Sequence, residues 1–235
     1  MRHLALAGLM LLAACAQPVP IVDETSQAPL DAAPYRQAAR AGAAVYRIEP
    51  QASRILVHVG RAGAMKNLGH DHAVASEDLQ GYVAIAADPA ASHASLVFPV
   101  RNLLVDDAAD RERLGLGAGP DADDIAGTYT NMLKVLEPAL YPWARLDARI
   151  VDKDAHQVTL SVSITLHGTT AELLVPVELE VGAGRLTASG HAILHHSDFG
   201  MSPYTAAGGL LRVADELDVQ FRLVAVATDF SGTSA

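Results

Sequence analysis

The sequence predicts an all-β fold, a closed antiparallel barrel of about eight strands with a helix-containing insertion, over residues 45–229. Three observations predict it. Apolar residues recur at every second position in segment after segment, short Gly- or Asp-containing links join those segments, and a single stretch breaks the period with helical spacing. One apolar face per strand, with hairpin-length links, implies a sheet that packs or closes on itself, and closure satisfies every edge.

The amino end is of a different kind. Met1, Arg2 and His3 give a basic start, Leu4 to Leu12 an apolar run too short to span a bilayer, and Leu12-Ala13-Ala14-Cys15 places small residues before the only cysteine. This spacing looks like a bacterial lipobox, so residues 1–14 are expected to be a lipoprotein signal peptide and the Cys15 thiol the site of lipid attachment. An uncleaved segment ending in a bare thiol is the alternative. A lone cysteine also excludes a disulfide within the chain. Ala16 follows Cys15 where an Asp would resemble an inner-membrane retention signal, which favours an exported, periplasm-facing protein at the outer membrane. Residues 15–44 hold Pro18, Pro20, Pro29 and Pro34 and no run of large apolar residues, and they read as a flexible tether.

Tyr46 and Ile48 open the barrel, and Ile55, Val57 and Val59 continue it. The alternation recurs in Leu79, Gly81, Val83 and Ile85, in Leu96, Phe98 and Val100, and in Leu146, Ala148 and Ile150. It is clearest where Val158, Leu160, Val162, Ile164 and Leu166 alternate with Thr and Ser. Leu173 to Val181, Leu186 to Leu194 and Leu217 to Ala225 supply three more strands, the first two joined by Gly182-Ala183-Gly184. The break falls at Asp121 to Glu137, where Ile125, Tyr129, Met132, Leu133 and Leu136 have helical spacing. Asp121, Asp123 and Asp124 suit a helix start, and Pro138 and Pro142 stop it. The helix either closes one end of the barrel or plugs its core.

Several motifs together resemble the YceI-like family: Tyr46-Arg47-Ile48-Glu49-Pro50 with Ser53, Tyr141-Pro142 before a strand, Leu166-His167-Gly168-Thr169-Thr170, and Ser197-Asp198-Phe199-Gly200-Met201. The resemblance covers nearly all of Val45 to Thr228. It implies a lipocalin-like barrel of the bacterial periplasm whose interior binds a long apolar molecule of the polyisoprenoid or quinone class, with no catalytic residues.

The residues admit that ligand. An eight-strand lumen holds either side chains or one slender molecule. The inward positions are mostly Val, Leu, Ile and Ala, so Phe98, Met132, Leu160, Val162 and Phe221 are the candidate ligand contacts; a filled core, making the domain an envelope interaction module, is the bland alternative. A second alternative rests on Leu68-Gly69-His70-Asp71-His72. His70 and His72 project to one face of an extended chain, His58 lies on the preceding strand, and His196 stands where the family usually carries an Arg, so the four make a candidate divalent-metal set with a catalytic or redox role. A hydrogen-bonded turn around Gly69, a polar mouth for a ligand headgroup, and a pH-sensitive gate are the other readings of these histidines. A formal net charge of −10 argues against nucleic acid as a partner and leaves membrane contact to the lipid on Cys15. Asp198-Phe199-Gly200 lacks the other kinase elements, and no Gly-x-Ser-x-Gly elbow occurs.

Overall fold

The computed structural model describes residues 30–154 and 157–230. The expected signal peptide, Cys15 and residues 15–29 of the expected tether lie outside the described residues. Among the described residues twelve strands form one sheet. In chain order they are β1 (Ala44–Ile48), β2 (Arg54–Ala62), β3 (His72–Ser76), β4 (Gln80–Ile85), β5 (His93–Pro99), β6 (Leu104–Val105), β7 (Trp143–Lys153), β8 (Val158–Leu166), β9 (Thr169–Gly182), β10 (Arg185–His195), β11 (Thr205–Ala206) and β12 (Leu211–Ala227).

Neighbours run β1-β4-β5-β7-β8-β9-β10-β12, and β12 then pairs with β1, Ala227 opposite Tyr46 and Ala225 opposite Ile48. The result is a closed antiparallel ring of eight, a lipocalin-like barrel. Because β12 is long, its earlier part is free to pair elsewhere. There it takes β2, with Val219 opposite Val57, and β2 takes β3, with Val57 opposite Val74, so this branch extends the wall at one end.

Local chemistry explains the connections. Between β8 and β9, His167 and Gly168 both have positive φ, 51° and 72°, the requirement of a two-residue hairpin whose twist matches its strands. A Cβ on Gly168 would also stand 2.6 Å from Cε1 of Tyr141, so glycine is needed there twice over. Ala183 and Gly184 turn β9 into β10 in the same way.

Among the described residues three α-helices decorate the barrel: α1 (Ala33–Arg40), α2 (Ala108–Arg113) and α3 (Ala122–Leu136). The expected helix is α3. Asp121 caps it by accepting the Asp124 N–H at 2.9 Å, and Glu137 ends it in the left-handed conformation just before Pro138. On the outer wall, Asp107 caps α2, and the buried Asp110 carboxylate accepts hydrogen bonds from Arg54 of β2 and from Arg113.

Helix α1 corrects the last part of the tether reading. Residues 33–40 are helical and docked because one aromatic ring anchors them: Tyr35 is 1 % exposed and packs against Tyr82 and His93. Burial pushes its phenol up to about 12. A lone Tyr in an Ala-rich segment carries no periodicity from which docking can be read.

One part of the barrel interior is solid. Tyr46, Ile48, Leu79, Leu96, Leu186 and Ala225 are buried together, and Val162, Val175 and Val177 pack with Leu160 and Phe221. Gly190 on β10 makes room for the Phe221 ring, since a Cβ there would lie 2.7 Å from its Cζ.

Candidate functional site

The rest of the interior is hollow. A cavity of about 330 Å³ occupies the end where β2, β5, β8 and β10 finish and β3, β7 and β12 begin. Alternation along the strands brings Val57, Val59, Val74, Leu146, Ile164 and Val219 to its wall. Helix α3 lines it with Met132, Val135 and Leu136, so the insertion closes one side of the hollow end rather than plugging the packed part. Phe199 and Met201, from the Ser197-Asp198-Phe199-Gly200-Met201 landmark, complete the apolar lining.

The expected ligand contacts therefore divide. Phe98 and Met132 line the cavity, while Leu160, Val162 and Phe221 belong to the packed interior. Phe221 faces inward as expected, but the notch at Gly190 seats its ring in the packing.

The histidines divide too. His70, His72 and His196 line the cavity. Period two places His58 with Leu56 on the other face of β2, where its Nε2 lies 3.7 Å from the Asp71 carboxylate. The rings of His70 and His72 are 6.5 Å apart and nearly perpendicular. Among the described residues no three His, Cys, Asp or Glu side chains gather into a metal-binding group, so the four histidines are not brought together as a ligand set. Two of them hold one ring nitrogen elsewhere: Nδ1 of His72 is 2.6 Å from the Asp106 carboxylate, and Nδ1 of His196 is 3.1 Å from the Asp215 carbonyl oxygen.

Asp106 is the centre of a network that sequence reasoning missed. Its fully buried carboxylate accepts hydrogen bonds from the Ala73 N–H at 3.0 Å, from His72, and from Arg111 Nη1 at 2.6 Å. Arg111, 4 % exposed, spends its remaining donors on the carbonyls of Asp71, Leu116, Gly117 and Ala118. Burial raises the Asp106 pKa, but the bonds from His72, Ala73 and Arg111 outweigh it and hold the carboxyl below the usual carboxylate range. The charge of Asp106 is thus matched by Arg111, and His72 is held by its Nδ1 at the cavity wall. Nothing local in the sequence announces this: Asp106 follows His72 by 34 residues and sits at a left-handed turn, φ 56°.

Fold and cavity together define an antiparallel barrel protein with an apolar lumen, open to side-chain histidines at one end. A YceI-like domain matches residues 46–225, and the chain belongs to the YceI-like family. Among solved structures it is similar to BcnA of Burkholderia cenocepacia, at 19 % identity and a TM-score of 0.52, over 76 % of this chain and 99 % of that one. It is similar also to a polyisoprenoid-binding domain from Saccharophagus degradans implicated in plant cell wall breakdown, at 15 % identity and a TM-score of 0.52, over 78 % and 98 % of the two chains. At these identities the likeness is one of fold. No curated protein matches the chain.

Proposed function

We propose that the protein is a periplasm-facing carrier, anchored through a lipid on Cys15, that holds an apolar molecule of the isoprenoid or quinone type in its lumen. The observation that carries the reading is the hollow end itself. A barrel built as a solid module fills its interior at close packing. Here Val, Leu, Ile, Phe and Met side chains surround open space instead, the usual composition of a site for an apolar ligand. Family membership and the polyisoprenoid-binding domain of Saccharophagus degradans support the same class of ligand. The lipobox-like Leu12-Ala13-Ala14-Cys15 supports the anchor.

Volume bounds what fits. About 330 Å³ lies at the lower end of the roughly 300–1,000 Å³ range of small-molecule sites. A short prenyl chain fits inside, whereas a long one leaves its remainder at the mouth. Prenyl alcohols of increasing length test this by displacement of the fluorescent apolar probe N-phenyl-1-naphthylamine. Affinity is expected to rise about tenfold or more per added unit among the shortest members, since each buried methylene contributes about 0.8 kcal/mol at most, and to level off once the chain outgrows the cavity. Absence of binding at every length would overturn the proposal.

A further inference from the structure

The cavity wall is mostly apolar, with Arg61, Ser76, Asn131, Tyr204 and Arg212 among its polar residues, and two of its imidazoles share a feature the carrier reading does not use. Each commits Nδ1 to an oxygen that can only accept: His72 to the Asp106 carboxylate at 2.6 Å, His196 to the Asp215 carbonyl at 3.1 Å. Nδ1 must therefore carry the proton in each ring, and Nε2 of the neutral imidazole is a lone-pair acceptor. Neither Nε2 has a partner among the described residues, and both side chains line the cavity.

The two differ in how firmly they are held. Nδ1 of His196 meets the backbone carbonyl of Asp215, an exposed residue in the irregular stretch of β12 between Val213 and Leu217. His72 is seated on a fully buried carboxylate that is itself fixed by Arg111 and by the Ala73 N–H. Arg111 already balances the charge of Asp106, so what the carboxylate gives His72 is the hydrogen bond that orients its ring. The network thus holds one ring in one tautomer with one acceptor toward the ligand space.

We propose that His72 is the residue that selects the headgroup, accepting a hydrogen bond through Nε2 from a hydroxyl on the lumen ligand, an alcohol or a phenol, while Asp106 and Arg111 position it. The proposal rests on the carrier reading and narrows it: the ligand class is apolar with one terminal hydroxyl. A donor buried against His72 gains a bond, whereas an ether oxygen of the same shape leaves Nε2 unsatisfied and places a second acceptor against it.

Farnesol and farnesyl methyl ether separate the two ideas in the same displacement assay. The protein is expected to prefer the alcohol by about tenfold, equivalent to about 1.4 kcal/mol. His72→Leu is expected to lose the preference, the alcohol-to-ether affinity ratio falling to about one, and His72→Gln, whose amide oxygen can accept, to recover part of it. Asp106 keeps Arg111 and the Ala73 N–H in both variants, and a thermal melt matching that of the unaltered protein shows that the barrel is intact. Equal affinity of the unaltered protein for both molecules, or a preference that survives in His72→Leu, would overturn the assignment and leave the carrier standing. Failure to bind either molecule would overturn both.

Discussion

Val57→Trp is expected to weaken the binding of apolar ligands about a hundredfold while leaving the barrel folded. Val57 stands mid-wall on β2, between Val219 of β12 and Val74 of β3, and its side chain borders the open space. An indole there enters a void rather than a packed core, so the overpacking cost stays near the low end of the usual 1–3 kcal/mol. It does occupy the volume that the ligand needs. Displacing a ligand from about 100 Å² of apolar contact removes about 2.5 kcal/mol, a fall in affinity of about two orders of magnitude. Leu174→Trp is the matched control. Leu174 is on β9, 68 % exposed and outside the lumen, and the same indole there should leave binding unchanged. Displacement titration and thermal melting of the two variants check both halves. Unaltered affinity in Val57→Trp would mean that ligands bind elsewhere.

Asp106→Ala is expected to destabilise the fold by about 3–5 kcal/mol. Removal of one partner of a buried ion pair strands the other, and Arg111, 4 % exposed, has no route to water for its charge. The His72 ring loses its support in the same step. Adding Arg111→Met should recover part of the loss, because the stranded charge is then gone, and a double-mutant cycle in denaturant reads that coupling. The pH dependence has a defined sign. The folded-state pKa of Asp106 lies below its unfolded value, so the stabilisation is complete above about pH 4, where the unfolded carboxylate is ionised, and is lost as pH falls through the folded pKa. Asp106→Ala should accordingly lose less stability on acidification than the unaltered protein. Additive losses in the cycle, with an acid limb identical in both, would contradict the network.

The barrel was legible because its signal is local and repeated. Each strand states its inward face in its own residues, and the ends of α3 are written in Asp121 and Pro138. The lumen was legible only in part. Period two identifies Leu160, Val162 and Phe221 as inward but not how far along the barrel they lie, and depth separates them from Phe98. Gly190, which seats the Phe221 ring, reads from sequence as one more small residue in a strand. The His-x-His spacing points to a metal set because it fixes a shared face. It says nothing of Asp106, brought to His72 by the β3–β6 pairing and the turn that follows it. Three positions that the chain separates by 34 and 5 residues become one network only through the sheet.

The most direct test of an apolar ligand in the lumen is native mass spectrometry of the protein produced in a bacterial periplasm, before and after organic extraction, with elemental analysis of the same sample. The account predicts a noncovalent apolar adduct that extraction removes and that is absent from Val57→Trp. A mass equal to the protein alone in every preparation would contradict it, as would stoichiometric metal lost in a His70→Ala, His72→Ala variant with no lipid present.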